Sequence, residues 1–264
     1  MSRLPVNLPG EVQPLIDALV PAIRDALADN LVGVYLTGSL ALGGFDPKTS
    51  DIDVLVVTER PASDAEFAVL AAVHDRLPPV RNDFAQEYEV YYVDRGPILR
   101  WAPRQRHLRA EPDAALHWES QRANFVIERW VVRERGVTLF GPDPKTLIDP
   151  VSPEEMREAA RSEINIRIDD WAGGQPLPGW LGHRGAQGFE VETVCRALYT
   201  IATGELCSKP GAFAWAMEAL PAQWWTLLEW SQRYNKDRTQ DGSRMEEVVA
   251  FVRFGSERAS MSAE

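Results

Sequence analysis

Cysteine is nearly absent from the 264 residues: Cys195 and Cys207 are the only two, and neither stands in a metal-ligand spacing. That argues against a disulfide framework or a thiolate metal site and fits reduced thiols in a cytoplasmic protein. An excess of basic charge is also missing. Lysine and arginine number 28 against 39 aspartates and glutamates, a formal net charge of -11. This disfavours a general nucleic-acid binder and favours a small cationic partner. No apolar run approaches a membrane span, and the N-terminus lacks the apolar core of a signal peptide, so no membrane association is expected. Internal repeats and low-complexity tracts are lacking. The length allows one large domain or two ordinary ones.

The informative stretch is residues 31–58, LVGVYLTGSLALGGFDPKTSDIDVLVVT. Two β-branched-rich apolar runs, 31–37 and 52–58, predict buried strands. Asp51 and Asp53 share one face of the second strand. At about 3.3 Å of rise per residue they stand roughly 7 Å apart at Cα, a separation suited to converging on a divalent cation. Gly38 lets the backbone approach a ligand, and Ser39 offers a hydroxyl and an N–H to phosphate oxygens. Magnesium prefers carboxylate and phosphate oxygens. Asp-x-Asp alone also reads as a strand cap and a solvated edge residue. Joined to Gly-Ser between two apolar strands, it marks a nucleoside-triphosphate–metal site.

Residues 12–28 carry helical periodicity, with Pro21 expected to kink or split the helix. Ser63-Asp64-Ala65-Glu66 is a capping box opening a helix that ends at Pro78-Pro79, with His74 expected on its surface. Gln86 to Val93 is rich in strand formers, and Glu87 and Glu89 share one face. Residues 95–112 are basic and proline-bearing and predict an irregular segment. His107 and His117 read as surface residues, and 116–135 reads as helix. Dense proline from 142 to 153 marks a boundary near 151. Beyond it the spacing predicts five helices, over 154–171, 190–203, 212–220, 222–234 and 245–254, with 173–188 a Gly/Pro-rich loop. Trp215, Trp224, Trp225 and Trp230 read as core and helix-packing surface.

GSLALGGFDPKTSDIDVLVV resembles the G-S-x…D-x-D signature of the polymerase-β-type nucleotidyltransferases. The tight spacing and Gly43-Gly44 resemble especially the streptomycin/spectinomycin adenylyltransferases, which transfer AMP from Mg-ATP to an antibiotic hydroxyl. Residues 195–209, CRALYTIATGELCSK, and 214–221, AWAMEALP, resemble that family's second signature. The likeness therefore spans nearly the whole chain. It implies an α+β protein: a mixed-sheet nucleotidyltransferase domain with flanking helices, 1–150, and an all-α helical bundle, 151–264, closing over nucleotide and acceptor.

The resemblance also implies roles. Asp51, Asp53 and Glu89 form the Mg²⁺ set and the catalytic carboxylates. ATP is the co-substrate, met by Gly38, Ser39 and Ser50 and, from the second domain, by Arg196 and Lys209. Matching Y-E-V-Y to the family's L-E-V-T-like strand selects Glu89 as general base, with Glu87 the alternative. His117 to Arg122 resembles the family's E-W-Q-R stretch, whose tryptophan lines the antibiotic site. Trp118 and Glu87 are thus the substrate candidates, although a large aromatic reads equally as a core anchor. Streptomycin-modifying members place a tryptophan and two aspartates ahead of the helix arginine. Here those positions fall near Leu177, Gly182 and Ala186, and no register of Trp180, Glu190 and Glu192 restores the set. The expected acceptor is a small, cationic, hydroxylated molecule, spectinomycin-like rather than streptomycin, and the expected state a monomer. Alternatives are the same chemistry on another small-molecule or protein hydroxyl, or a catalytically silent nucleotide-binding partner. The retained carboxylates argue against silence.

Overall fold

The computed structural model describes residues 8–47, 50–77, 88–102, 104–111, 114–174, 176–233 and 237–261. It comprises two compact units, Met1–Pro150 and Val151–Glu264.

The first unit contains, in chain order, α1 (Gln13–Leu27), β1 (Leu31–Leu36), α2 (Gly38–Leu42), β2 (Ile52–Thr58), α3 (Asp64–His74), β3 (Tyr88–Asp94), α4 (Arg95–Leu99), β4 (Arg106–Glu111), β5 (Ala114–Ser120), α5 (Phe125–Arg135) and β6 (Val137–Phe140). The strands form one mixed sheet, ordered β5-β4-β3-β2-β1-β6. Only β2 and β3 run parallel, and a parallel pair needs a crossover connection. Helix α3 lies on that crossover, opened by the capping box in which the Ser63 N–H donates to Glu66 Oε2 at 2.7 Å. One sheet face buries Val34, Leu36, Val54, Val56, Val90 and Leu108 together with Leu15, Ile16, Leu19 and Ile23 of α1. The other buries Tyr35, Leu55, Val57 and Val93 together with Ile98, Phe125 and Val132. By strand alternation, Asp53 and Glu89 project from this second face.

Several expectations are corrected. Helix α1 runs unbroken through Pro21. Pro21 and Asp17, whose carbonyl the proline leaves without its helical donor, both lie on the exposed side, where water takes that bond. The segment expected to be irregular holds α4 and β4, and 116–120 is strand rather than helix. Strands β4 and β5 form an antiparallel pair in which Leu108, Ala110 and Leu116 line the α1 side and charged residues alternate with them. His107 is not a surface residue but 4% exposed, stacked on Phe125 with centroids 5.6 Å apart.

The second unit holds, among the described residues, α6 (Pro153–Arg167), α7 (Arg184–Thr203), α8 (Lys209–Ala219), α9 (Trp225–Arg233) and α10 (Met245–Met261). Helix α6 runs on into a π-helical turn, Ile168–Ala172. Helix α7 is central, and its Val191, Val194, Cys195, Leu198 and Ile201 share one core with Ile164, Phe213, Leu227, Phe251 and Val252. It begins at Arg184, six residues before the expected helix start, so the expected loop ends five residues early. A Cβ on Gly188 would sit 3.0 Å from the Ser231 carbonyl oxygen. The glycine therefore reflects close packing against α9 rather than a loop. Trp225 is 44% exposed, unlike the buried Trp224.

His74, expected on the surface, is half-buried. Its ring stacks on Tyr88, Nε2 meets the Tyr92 hydroxyl at 2.7 Å, and Nδ1 is buried without a hydrogen-bond partner. Burial pushes its pKa down to about 4, against a small opposing effect of Asp75. In the unfolded chain the imidazole regains its ordinary value near 6.5, so between pH 6.5 and 4 the unfolded state binds more protons and stability falls as pH falls. Urea titrations of the parent at pH 7 and pH 4.5 should differ by ~1–3 kcal/mol from this group, since one pK unit is worth about 1.4 kcal/mol. His74→Leu should remove that share of the difference. An unchanged slope in the variant contradicts the buried neutral imidazole.

Candidate active site

The β1–β2 connection is compact because glycine supplies its turns. Gly38 has φ 57° and Gly43, closing α2, has φ 71°, left-handed values that side chains resist. The Thr37 N–H donates to the Asp53 carbonyl at 3.0 Å, tying the turn to β2. A Cβ on Gly38 would fall 1.8 Å from Asp53 Oδ2. The turn backbone is thus pressed against that carboxylate, which any side chain at position 38 would displace. The Ser39 and Thr37 hydroxyl oxygens are buried without a hydrogen-bond partner. Ser50 closes the loop before Asp51: its Oγ accepts from the Asp46 N–H at 3.0 Å, and its N–H donates to the Asp46 carbonyl at 2.8 Å. Asp51 and Asp53 are both half-buried.

Parallel pairing sets Asp53 directly beside Glu89, on strands about 4.8 Å apart. Glu89 Oε1 accepts from Arg109 Nη2 at 2.8 Å, and Glu89 Oε2 accepts from the Tyr91 hydroxyl. Burial, then the Glu89 charge, pushes the Tyr91 phenol far above its ordinary pKa, so it acts as a donor. Arg109 also meets Glu111 Oε2 at 3.1 Å and Glu119 Oε2 at 3.4 Å. His107 Nε2 lies 3.6 Å from Glu119 Oε2. The His107 ring and then the Arg109 charge outweigh partial burial and hold the Glu119 carboxyl at about 2.

Among the described residues no group of three or more His, Cys, Asp or Glu is gathered to hold an ion. Arg109 and Tyr91 engage the two oxygens of Glu89. Trp118 pairs with Leu108 and packs on the α1 side of the sheet, with Arg106 above its ring. It lies on the opposite face from Asp53 and Glu89, which accords with the core-anchor reading of this tryptophan. Read on Glu119, Gln121 and Arg122, the E-W-Q-R stretch puts Ser120 in the tryptophan's place. Glu87 lies outside the described residues. Sequence reasoning missed Arg109 as the partner of Glu89, and Glu111 and Glu119 as partners of Arg109. The two-residue alternation of 106–111 and 114–120 was the signal that could have found them.

In the second unit, Arg196 on α7 and Lys209 at the start of α8 converge on the buried Glu192. Lys209 Nζ stands 3.4 Å and Arg196 Nη1 4.0 Å from Glu192 Oε1. Glu190 is also buried and accepts from Arg167 Nε. Its carboxyl is raised by burial, with the Arg167 charge opposing.

Residues 20–102 match the Nucleotidyltransferase domain family, and residues 146–258 match the family described as Aminoglycoside adenylyltransferase, C-terminal domain. A sheet with this Gly-Ser turn and Asp-x-Asp strand, followed by a helical unit, defines a nucleotidyltransferase. An aminoglycoside (3'')(9) adenylyltransferase from Shigella flexneri is 30% identical over 255 residues, covering 92% of this chain and 93% of the relative. A spectinomycin 9-adenylyltransferase from Staphylococcus aureus is 26% identical over 232 residues, covering 83% of each. The fold is that of spectinomycin adenyltransferase AAD(9) from Enterococcus faecialis, solved with ATP and spectinomycin. The TM-score is 0.74 at 17% identity, over 93% of this chain and 98% of that one. The chain belongs to the aminoglycoside (3'')(9) adenylyltransferase family.

The Gly38 contact generates a test. Gly38→Ala and Gly43→Ala each meet an unfavourable φ, costing ~1–2 kcal/mol of stability. Nothing lies within 4 Å of a Cβ at Gly43, whereas at Gly38 Asp53 must move. Turnover should therefore fall on the order of 10²-fold in Gly38→Ala, as for a misplaced catalytic group, and stay near parental in Gly43→Ala. Equal turnover in the two variants contradicts the arrangement.

Proposed function

We propose that the protein transfers AMP from Mg-ATP to a hydroxyl of an aminoglycoside or aminocyclitol antibiotic, with spectinomycin favoured over streptomycin, and so confers resistance. The observation that carries the reading is the register placing Asp53 beside Glu89, with Gly38 against the Asp53 carboxylate.

Asp51 and Asp53 fit Mg²⁺: they are hard oxygen donors beside a glycine cradle with an unsatisfied Ser39 hydroxyl, and such an ion offsets charge on phosphate oxygens. Gly38, Ser39 and Ser50 receive the triphosphate. Arg196 and Lys209, gathered on Glu192, contribute further cations to its phosphates. Glu89 accepts the proton of the acceptor hydroxyl. That oxygen bonds to the α-phosphorus in line as the bond to the bridging oxygen of pyrophosphate breaks. With two donors already on its oxygens, the Glu89 carboxylate retains lone pairs for the proton. Glu111 and Glu119 lend the same sheet side a negative bias suited to a cationic acceptor.

Three features disfavour streptomycin. Gly182, near one expected aspartate position, lies against the Gln240 side chain. Glu190 is engaged by Arg167, and Glu192 by Lys209, so neither stands free in place of the missing aspartates.

Incubation with Mg-ATP and a panel of antibiotics, followed by mass spectrometry, should reveal one added AMP on spectinomycin and little on streptomycin. A panel with no adduct overturns the reading. Asp53→Asn should lower turnover on the order of 10²–10⁴-fold with the fold retained. Arg196→Ala and Lys209→Ala should each weaken ATP binding roughly ten- to a hundredfold, the worth of a charge-assisted contact, and leave adenosine binding unchanged. Equal losses for ATP and adenosine contradict the phosphate role.

A further inference from the structure

We infer that Arg109 is a positioning residue for the Glu89 base, acting with Tyr91, and that Glu111 and Glu119 hold Arg109 in place for that task. The inference rests on the proposed role of Glu89. Neither Arg109 nor Tyr91 belongs to the Gly-Ser and Asp-x-Asp signature.

A carboxylate that takes a proton from a substrate must present a defined lone pair, yet the terminal torsion of glutamate is soft. Here both oxygens are fixed from different directions. Arg109 Nη2 reaches Oε1 at 2.8 Å from the neighbouring strand β4, and the Tyr91 hydroxyl reaches Oε2 from two residues along β3. Antiparallel pairing sets Arg109 opposite Tyr91, and the guanidinium carbon stands 5.8 Å from the Tyr91 ring centroid. Both donors therefore sit on sheet positions, which hold a site more rigidly than loops do.

Arg109 is braced in turn. Glu111 and Glu119 stand 3.1 and 3.4 Å from its terminal nitrogens. Behind Glu119 lies His107, caged between Phe125 and Tyr91 with centroid separations of 5.6 and 5.3 Å. An ion pair with Glu89 alone would leave a flexible arginine free to follow the glutamate. Three carboxylates on one planar fork fix the guanidinium, so Glu89 is held against an anchored partner. Lysine, a single point charge on a flexible stem, cannot meet all three at once. The arrangement has the form of a base oriented by a third group.

The test is a double-mutant cycle on pyrophosphate release with Mg-ATP and spectinomycin, using Glu89→Gln, Arg109→Met and the combination, with ATP affinity measured by calorimetry. Arg109→Met should lower kcat ~10–100-fold, the cost of a misplaced catalytic group, with ATP affinity within about twofold of parental. Arg109→Lys should recover only part of the rate. Because Arg109 acts through Glu89, the double variant should be no slower than Glu89→Gln alone. Arg106→Met, on the opposite face of the same strand, should keep the parental kcat. Multiplying losses in the double variant overturn the positioning role, as does a loss confined to KM. If Arg109→Met fails to fold, the same cycle is read with Arg109→Lys and with Tyr91→Phe. A parent silent on spectinomycin, or Glu89→Gln at the parental rate, overturns instead the reading of Glu89 as base, and this inference with it.

Discussion

Negative charge crowded onto one edge of a sheet face is the constraint on which the first unit depends. Asp53 and Glu89 are direct neighbours across β2 and β3, and Glu111 and Glu119 lie further along the same side. Two like charges 4 Å apart repel by about 4 kcal/mol at the effective dielectric of a protein surface, so such a cluster survives only with compensating cations. Arg109 supplies one, shared among three glutamates. Charge balance thus gathers Glu89, Glu111 and Glu119 on one guanidinium.

The rest of the unit fixes the strands that carry these carboxylates. Val54 and Val56 bury one side of β2, and Leu55 and Val57 the other, so the strand carrying Asp53 is anchored on both faces and cannot slip register without turning every side chain over. Gly38 brings the turn backbone against Asp53, and the α3 crossover makes β3 parallel to β2, which brings Glu89 level with Asp53. In the second unit the same logic recurs on a helix. Glu192 is buried beneath Arg196 and Lys209, and a buried carboxylate of that kind holds two cations in place.

The α+β fold and the Asp-x-Asp element were legible because their signals are local. Apolar runs flank a glycine turn, the carboxylates share a two-residue period, and Glu89 sits in an unmistakable strand. The β4–β5 pair was hidden because Arg106, His107 and Arg109 together with Pro103 and Pro112 make the segment look like a basic loop, although Leu108 and Ala110 alternate with the charges. Trp118 reads in the sequence as a helix residue, lining the antibiotic site or anchoring the core, and only the register with Leu108 puts it on the far side of the sheet. The start of α7 was obscured by Gly185 and Gly188, poor helix formers locally, one of which is required by the approach of Ser231. The hold of Arg109 on Glu89 joins residues on two strands, and no local pattern announces such a contact.

The central claim is that the Gly38 turn and the two aspartates receive nucleotide together with its metal ion. Calorimetric titration of ATP into the protein, once with Mg²⁺ and once with EDTA, tests this most directly, with Asp53→Asn run alongside. The account predicts that removing Mg²⁺ weakens ATP binding to the parent by at least ~10-fold, about 1.4 kcal/mol, and that Asp53→Asn loses most of this metal dependence. Equal ATP affinity with Mg²⁺ and EDTA, or an undiminished metal effect in Asp53→Asn, would contradict it.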